Sequence, residues 1–184
     1  TWKKTCIEKS MTRIFLIGYM GAGKTTLGKP LAQKLGATFC DLDDCIEEHY
    51  GKTISEIFAE KGEDAFRTIE RNILQEVVKL ENVVISCGGG TPCFFDNMEM
   101  MNACGETVFL SASPAVLKEH LLMGKNKRPL IQGKKPEELE DFVRQSLQGR
   151  LSFYQKAKNV INIEVIHTDE EIQSYVSQIV EMVR

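Results

Sequence analysis

The sequence predicts an α/β fold in which helices cover both faces of a parallel sheet. Strand-like apolar runs alternate with helical stretches along the 184 residues, and the runs are nearly continuous in apolar residues. Such runs are typical of strands that are buried on both faces. A glycine-rich segment joins the first run to the first helix, as expected for a β/α unit. The predicted strands are residues 13–17, 38–41, 83–86, 107–110 and 160–165.

The predicted helices fill the intervals between these strands. They cover residues 24–35, 46–60 with a break near Gly51, 63–80, 114–122, 136–156 and 169–183. Pro30 falls inside the first helix, where it removes one backbone hydrogen bond and should bend the axis. Ligands of such sheets bind beyond the carboxyl ends of the strands, so the functional residues are expected there.

Composition predicts one domain that binds small molecules. The chain is long enough for one well-buried core, and residues 11–184 are interpreted as a single domain that follows a loosely ordered extension at 1–10. Charged residues make up 27% of the chain, and its net charge of −3 argues against general binding to nucleic acid or membrane surfaces. No apolar stretch approaches the roughly 20 residues that cross a bilayer, and the N-terminus lacks the apolar core of a signal peptide. A cytoplasmic monomer is expected.

The cysteines and histidines form no recognisable metal or catalytic pattern. The six cysteines include no C-x-x-C pair and have no histidines at zinc-finger spacing. Most are therefore expected to be reduced and packed as small apolar residues, which fits a reducing cytoplasm. His49, His120 and His167 are interpreted as structural or exposed.

The first connection matches the phosphate-binding pattern G-x-x-x-x-G-K-[ST], with the sequence GYMGAGKTT at residues 18–26. Its glycines let backbone N–H groups turn toward phosphate oxygens, Lys24 supplies a positive charge, and Thr25 supplies a hydroxyl for Mg²⁺. The N-terminus of the next helix points at the same anion. The alternative is a glycine-rich turn with a chance lysine, but the strand-then-helix context disfavours it.

Two aspartates, Asp41 and Asp43, follow the second strand. If the chain stays extended there, both carboxylates project to the same side. One can then hold Mg²⁺, often through water, while the other accepts a hydrogen bond from the hydroxyl that is phosphorylated. The alternative is a helix N-cap, although Asp44 can supply that cap. The third strand does not end in an aspartate, so Asp41 is expected to serve Mg²⁺.

Residues for an acceptor substrate are expected after the third strand and on two helices. Gly88–Gly90 let a substrate approach the backbone without an intervening side chain, whereas a merely flexible loop is the alternative. Arg67 and Arg150 are candidates for an anionic acceptor, because guanidinium binds carboxylate in a two-pronged geometry. Each arginine is equally compatible with an ion pair on a helix surface.

Residues 123–136 form a basic segment without acidic residues. Such a segment can act as a mobile lid that closes over bound nucleotide, excludes water and brings Arg128 to the transferring phosphoryl group. A solvated basic loop is the alternative reading.

Together these motifs resemble the shikimate kinase family, in the nucleoside monophosphate kinase-like branch of P-loop enzymes. The resemblance spans nearly the whole chain from Arg13 onward. Beyond the phosphate loop, the two aspartates and the three glycines, it includes ISEIFAEKGEDAFRTIE at 54–70, FLSASP at 109–114, RPLI at 128–131 and RLSFY at 150–154.

The resemblance implies transfer of the ATP γ-phosphoryl group to the 3-hydroxyl of shikimate, on the pathway to chorismate and the aromatic amino acids. It implies a three-layer P-loop kinase fold with strand order 2-3-1-4-5. The implied shikimate contacts are Asp43, Arg67, Gly88, Gly89, Gly90 and Arg150, with both arginines facing the carboxylate. The implied ATP contacts are Gly21, Ala22, Gly23, Lys24, Thr25, Thr26 and Arg128.

The resemblance also implies how these groups divide the chemistry. Asp43 orients or deprotonates the nucleophile, while Lys24 and Arg128 stabilise the transition state. Thr25 ligates Mg²⁺, and Asp41 supports the ion through water.

One position departs from the family pattern. Many relatives carry an adenine-stacking arginine seven positions before Arg128, whereas this chain has Leu121. Leucine can cover one adenine face by apolar contact and residues 167–169 can cover the other. ATP binding is therefore expected to survive with altered strength or nucleotide selectivity.

Two other functions stay open on the same motifs. Another small-metabolite kinase, such as a gluconate kinase, would share the phosphate loop and the lid but need not share the paired arginines. A catalytically silent ligand sensor would have no need for transition-state groups.

Overall fold

Five parallel strands form one sheet in the order β2-β3-β1-β4-β5. The computed structural model describes residues 12–124 and 135–184. The strands are β1 (Arg13–Ile17), β2 (Thr38–Asp41), β3 (Val83–Ser86), β4 (Glu106–Ser111) and β5 (Asn159–Asn162). In the register of the central strand, Phe15 lies opposite Ile85 of β3 and Thr107 of β4. The predicted fold class and strand order are confirmed.

Helices connect the strands in sequence. They are α1 (Lys24–Leu35), α2 (Leu42–Tyr50), α3 (Ile54–Val77), α4 (Asn97–Cys104), α5 (Pro114–Met123), α6 (Pro136–Gln148), α7 (Leu151–Tyr154) and α8 (Asp169–Met182). Residues Thr91–Cys93 add one turn of 3-10 helix. Each parallel pair of strands requires a crossover of this kind, because a short hairpin cannot join two strands that run the same way.

The core lies on the central strands. Ile14, Phe15, Leu16 and Ile17 are all fully buried, as expected for a strand covered on both faces. Helix α1 approaches the sheet closely at Gly28, where an added Cβ would lie 2.5 Å from Phe39 and 3.1 Å from Leu16. This close packing fixes the position of α1, whose N-terminus lies at the end of the phosphate loop.

The connection after β2 differs from the prediction. Helix α2 begins at Leu42 instead of residue 46, because the Asp41 carboxylate accepts a hydrogen bond from the Asp43 N–H and acts as the N-cap. The expectations that the chain stays extended through Asp43, and that Asp44 supplies the cap, are therefore wrong. The predicted break near Gly51 is confirmed, since Gly51 ends α2 with φ of 63°.

Other boundaries also moved. The predicted helices 46–60 and 63–80 do not match the observed ones. Residues from both belong to α3, which runs from Ile54 to Val77 across a kink at Gly62, where φ is 77°. The predicted helix 136–156 is divided at Gly149, so that Arg150 begins a separate short helix. Helix α4 was not predicted, since its eight residues have no side-chain cap and no clear apolar face. Pro30 lies inside α1 as expected.

Two predictions concern residues outside the described ranges. The extension at 1–10 and Arg128, with most of the lid predicted at 123–136, fall there. Among the helices of the described ranges, none combines the length and apolar character needed to cross a membrane.

Candidate active site

A cavity of about 440 Å³ lies at the carboxyl ends of β1, β2 and β3. Its lining includes the phosphate loop and α1 start, the two aspartates after β2, and the glycine turn after β3. The rest of the lining comes from the end of α5 and from residues 166–169 and 172. The site therefore lies where the fold class predicts it.

The phosphate loop turns through three glycines with positive φ. The φ angles are 148° at Gly18, 83° at Gly21 and 96° at Gly23, a region in which side chains with a Cβ are strained. The Lys24 ammonium donates hydrogen bonds to the carbonyls of Gly18 at 2.8 Å and Tyr19 at 2.9 Å. The loop thus holds its lysine next to the N-terminus of α1, where an anion is stabilised by the helix dipole.

Thr25 and Asp41 are in direct contact at the mouth of this loop. The Thr25 hydroxyl donates to Asp41 Oδ2 at 3.0 Å, while Oδ1 of the same carboxylate caps α2. No group of three His, Cys, Asp or Glu side chains in residues 12–124 and 135–184 is arranged to hold a metal. One hydroxyl and one carboxylate with phosphate oxygens and water suit Mg²⁺, which retains several waters in nucleotide sites.

Asp43 lies in the first turn of α2 and lines the cavity. An ideal Cβ on Gly88 would lie 3.2 Å from Asp43 Oδ1, which shows how closely this carboxylate approaches the glycine turn. Although the chain does not stay extended, Asp41 and Asp43 still border one cavity. The capping bond itself holds Asp43 in place.

The glycine turn adjoins both predicted arginines. An added Cβ on Gly90 would lie 2.6 Å from Arg67 Nη2, and one on Gly89 would lie 3.4 Å from Arg150 Nη1. The same position on Gly89 is 3.5 Å from the backbone nitrogen of Met20 in the phosphate loop. The turn therefore lies between the phosphate loop and the arginines, although Gly90 and the two arginines do not line the cavity described above.

Arg67 is held by ion pairs and by aromatic rings. Its Nη1 donates to Glu70 at 3.0 Å and its Nη2 donates to Glu63 at 3.2 Å. The guanidinium carbon lies 4.1 Å from the centroid of the Phe94 ring, within cation–π range. Its Nε is buried and has no hydrogen-bond partner in the described residues. The ion pairs along the helix that the sequence suggested are present. They direct the Arg67 guanidinium toward the glycine turn.

Sequence reasoning missed the residue that anchors Arg67. Glu70 is 1% exposed, and it accepts hydrogen bonds from Arg67 and from the Thr91 hydroxyl at 2.6 Å. The fully buried Asn97 of α4 then donates to the Thr91 carbonyl and accepts from Arg71, both at 2.8 Å. This buried network fixes the far side of the glycine turn, since each member satisfies its neighbour.

Arg150 and Tyr154 bring α7 to the same turn. The Tyr154 hydroxyl donates to the Gly89 carbonyl at 2.5 Å, and burial raises the pKa of this phenol. The hydroxyl therefore stays protonated and remains a donor at neutral pH. Arg150 lies at the start of α7, with its guanidinium carbon 5.4 Å from the centroid of the Tyr19 ring. Helix α6 ends at Gly149, and Arg150 at the start of α7 lies with its guanidinium beside the glycine turn.

The end of α5 and the residues before α8 form one wall of the cavity. Leu121 is 8% exposed and packs on the phosphate loop, 3.1 Å from the position of a Cβ on Gly21, and it does not line the cavity. That Leu121 covers one face of the adenine stays a prediction. His120 and Met123 from α5 line the cavity instead, and residues 167–169 line it as expected.

We expect Gly90→Ala to weaken binding at the arginine side. The new Cβ would lie within 2.9 Å of three guanidinium atoms of Arg67, which Glu70 and Phe94 hold in place. Since a charged hydrogen bond contributes about 1.5–3 kcal/mol, KM for the anionic acceptor should rise about tenfold or more. KM for ATP should stay within about twofold. Steady-state kinetics measures both values.

Gly149→Ala is the matched control for this variant. Gly149 has a helical φ of −69°, and its Cβ position meets only a carbonyl at 3.9 Å. If Gly90→Ala raised neither KM, or raised that of ATP alone, the arrangement of Arg67 against the turn would be wrong.

Cys87, which precedes the glycine turn, should resist alkylation in the native protein. It is 2% exposed, and burial raises the pKa of its thiol, so the reactive thiolate is scarce at neutral pH. Iodoacetamide labelling followed by peptide mass spectrometry should find it unmodified until the protein is denatured. Equal labelling rates before and after denaturation would contradict this burial.

This chain is similar to known proteins over nearly its whole length. The protein-family model for shikimate kinase matches residues 20–184. Shikimate kinase from Phocaeicola vulgatus is 54% identical over 169 residues, which cover 92% of this chain and 97% of that protein. The crystal structure of shikimate kinase from Bacteroides thetaiotaomicron has a TM-score of 0.92 at 52% identity, covering 94% of this chain and 98% of its own. Shikimate kinase from Acinetobacter baumannii in complex with shikimate has a TM-score of 0.81 at 32% identity, covering 95% and 93%.

Proposed function

The chain belongs to the shikimate kinase family, and we propose that it transfers the γ-phosphoryl group of ATP to the 3-hydroxyl of shikimate, yielding shikimate 3-phosphate and ADP. One observation carries the proposal. The turn at Gly88–Gly90 adjoins Asp43, Arg67 and Arg150, and its middle residue lies beside the phosphate loop. A phosphoryl donor and a hydroxylated carboxylic acid can therefore meet at one place.

The chemistry of the acceptor side suits a small hydroxylated carboxylate. Two guanidinium groups, from Arg67 and Arg150, match a planar carboxylate better than an ammonium would. The backbone of Gly88–Gly90 allows a sugar-like ring to approach closely. Shikimate carries both a carboxylate and ring hydroxyls, and the Acinetobacter baumannii relative was solved in complex with it.

On the donor side, we assign the ATP phosphates to the backbone of residues 21–26 and to Lys24. The positive-φ glycines and the start of α1 suit an anion, and Lys24 is already held within the loop. Arg128 is assigned to the transition state on the family resemblance alone, since it lies outside the described residues. Thr25 and Asp41 would hold Mg²⁺, which when bound neutralises charge on the β- and γ-phosphates.

Asp43 is assigned to the reacting hydroxyl of the acceptor. Its carboxylate lines the cavity beside the glycine turn and accepts protons, so it can orient the hydroxyl or remove its proton as the phosphoryl group is transferred. Phosphoryl transfer depends mainly on positioning and electrostatic stabilisation. The fixed turn, the capped α2 and the buried Glu70 network supply that positioning.

The remaining assignments concern the whole protein. We propose one domain at residues 11–184 with a lid at 123–136, acting as a cytoplasmic monomer whose partners are ATP and shikimate. The net charge of −3 supports small-molecule partners instead of nucleic acid or membranes.

The experiment is ADP release measured in parallel with shikimate, gluconate and nucleoside monophosphates at one ATP concentration. We expect turnover with shikimate alone above the background ATPase rate. Turnover with gluconate would favour the other small-metabolite kinase. Absence of turnover with every acceptor, in protein that binds ATP, would favour the silent sensor.

A further inference from the structure

His120 connects two walls of the nucleotide cavity through both nitrogens of its ring. Nδ1 lies 2.7 Å from the Gly21 carbonyl of the phosphate loop, and Nε2 lies 3.0 Å from the backbone nitrogen of Ile166. A backbone N–H only donates, so Nε2 must accept. A neutral ring then carries its proton on Nδ1, which donates to the Gly21 carbonyl.

The two partners of His120 belong to two different segments of the cavity lining. Gly21 has φ of 83° at the bend of the phosphate loop, and Leu121 packs against the same glycine. Ile166 begins the segment 166–169, which joins β5 to α8 and lines the cavity. His120, on α5, therefore links the phosphate loop to this segment, and Ile166 also lies near the loop, with its Cδ1 3.6 Å from the position of a Cβ on Gly23.

The segment 166–169 is also secured on its other side. The backbone N–H groups of His167 and Thr168 donate to Glu171 at 2.8 and 3.0 Å, and Thr168 caps α8 in return. The segment is therefore fixed between α8 and His120. Without the bond to His120, the backbone hydrogen bonds described here would attach the segment 166–169 to α8 only.

We propose that His120 is a positioning residue for the nucleotide, which holds the segment 166–169 at a fixed separation from the phosphate loop so that one rigid frame receives both the base and the phosphates of ATP. The proposal rests on the proposed kinase function, which supplies ATP as the ligand. Met123, Ile166 and Ile172 give the base end an apolar lining.

The variant His120→Leu introduces an apolar side chain of similar size, which cannot form either hydrogen bond. It leaves the Gly21 carbonyl and the Ile166 N–H without this partner, so we expect ATP and ADP to bind about tenfold more weakly. kcat at saturating ATP and KM for shikimate should each change by less than about twofold, because the two ring nitrogens of His120 bond to the backbone of Gly21 and Ile166. His120→Gln should restore most of the affinity, since its amide offers one donor and one acceptor.

The test measures ADP and ATP binding by calorimetry without shikimate, alongside steady-state kinetics. His49→Leu is the control, since that residue is exposed and its ring makes an edge-on contact with Tyr50. Weakened nucleotide binding in His120→Leu, with recovery in His120→Gln, supports the proposal. Wild-type affinity in a folded His120→Leu protein, or loss of kcat without loss of affinity, would overturn it.

Nitrogen-15 NMR of the wild-type ring provides a readout that needs no variant. The bridge requires the neutral tautomer with the proton on Nδ1, and the opposite tautomer would overturn the proposal even if His120→Leu fails to fold. Because binding is measured without shikimate, the result stands apart from the kinase assignment. An enzyme that binds ATP through His120 but does not phosphorylate shikimate would contradict only the proposed function.

Discussion

Replacing Asp43 with asparagine should lower kcat for shikimate phosphorylation by about a thousandfold. Asparagine keeps the shape of the side chain but removes its charge and its capacity to accept the hydroxyl proton, and such groups contribute about 10²–10⁴ in rate. The bond that fixes this position runs from the backbone N–H of residue 43 to Asp41, so the fold of α2 should survive. ADP release at saturating substrates measures the loss.

Asp44→Asn is the matched control, because it makes the same change one residue further along α2 at an exposed position. We expect its kcat to stay within about twofold of the wild type. A kcat for Asp43→Asn within a few-fold of the wild type would show that this carboxylate does not act on the transferring group.

Replacing Lys24 with methionine should have the second large effect. The Lys24 ammonium is held by the Gly18 and Tyr19 carbonyls within the phosphate loop, close to where the transferring phosphoryl group must lie. Methionine has similar length but no charge. Since removing one preorganised donor to transition-state charge costs about 10²–10³ in rate, we expect kcat/KM for ATP to fall by at least about a hundredfold.

Lys29→Met provides the comparison on the same helix. Lys29 is exposed and lies 5.9 Å from the Phe39 ring centroid, away from the cavity lining. Its removal should leave kcat/KM within about twofold. If both lysine variants lost activity equally while remaining folded, general charge on α1 would explain the effect and the role of Lys24 would be wrong.

Strands β1, β3 and β4 were predictable because each contains a short run of buried apolar residues. Strand β5 was less so, since it ends at Asn162 and not at the predicted residue 165. The helix boundaries were harder, since local side-chain bonds decide them. Asp41 could have capped a helix or extended the strand, and only the bond to the Asp43 N–H resolves the choice. Gly62 shows the opposite case, because a glycine with φ of 77° bends α3 without ending it.

The predicted site residues within the described ranges lie around the carboxyl ends of β1, β2 and β3, as the motifs indicated, whereas the residues that hold them in place were not predicted. Glu70 had a detectable signal, since it falls on the helix face defined by Phe66, Ile73 and Leu74, where a carboxylate needs a partner. Its partner Thr91 lies 21 residues away. His120 carried no such signal, because its two bonds reach residues 99 and 46 positions distant.

The most direct test of the central claim is a crystal structure with ADP, Mg²⁺ and shikimate bound. We expect the shikimate carboxylate to lie between the guanidinium groups of Arg67 and Arg150. The 3-hydroxyl should lie within hydrogen-bond distance of Asp43 and face the β-phosphate in the phosphate loop. A carboxylate bound elsewhere, or a different hydroxyl directed at the phosphates, would contradict it.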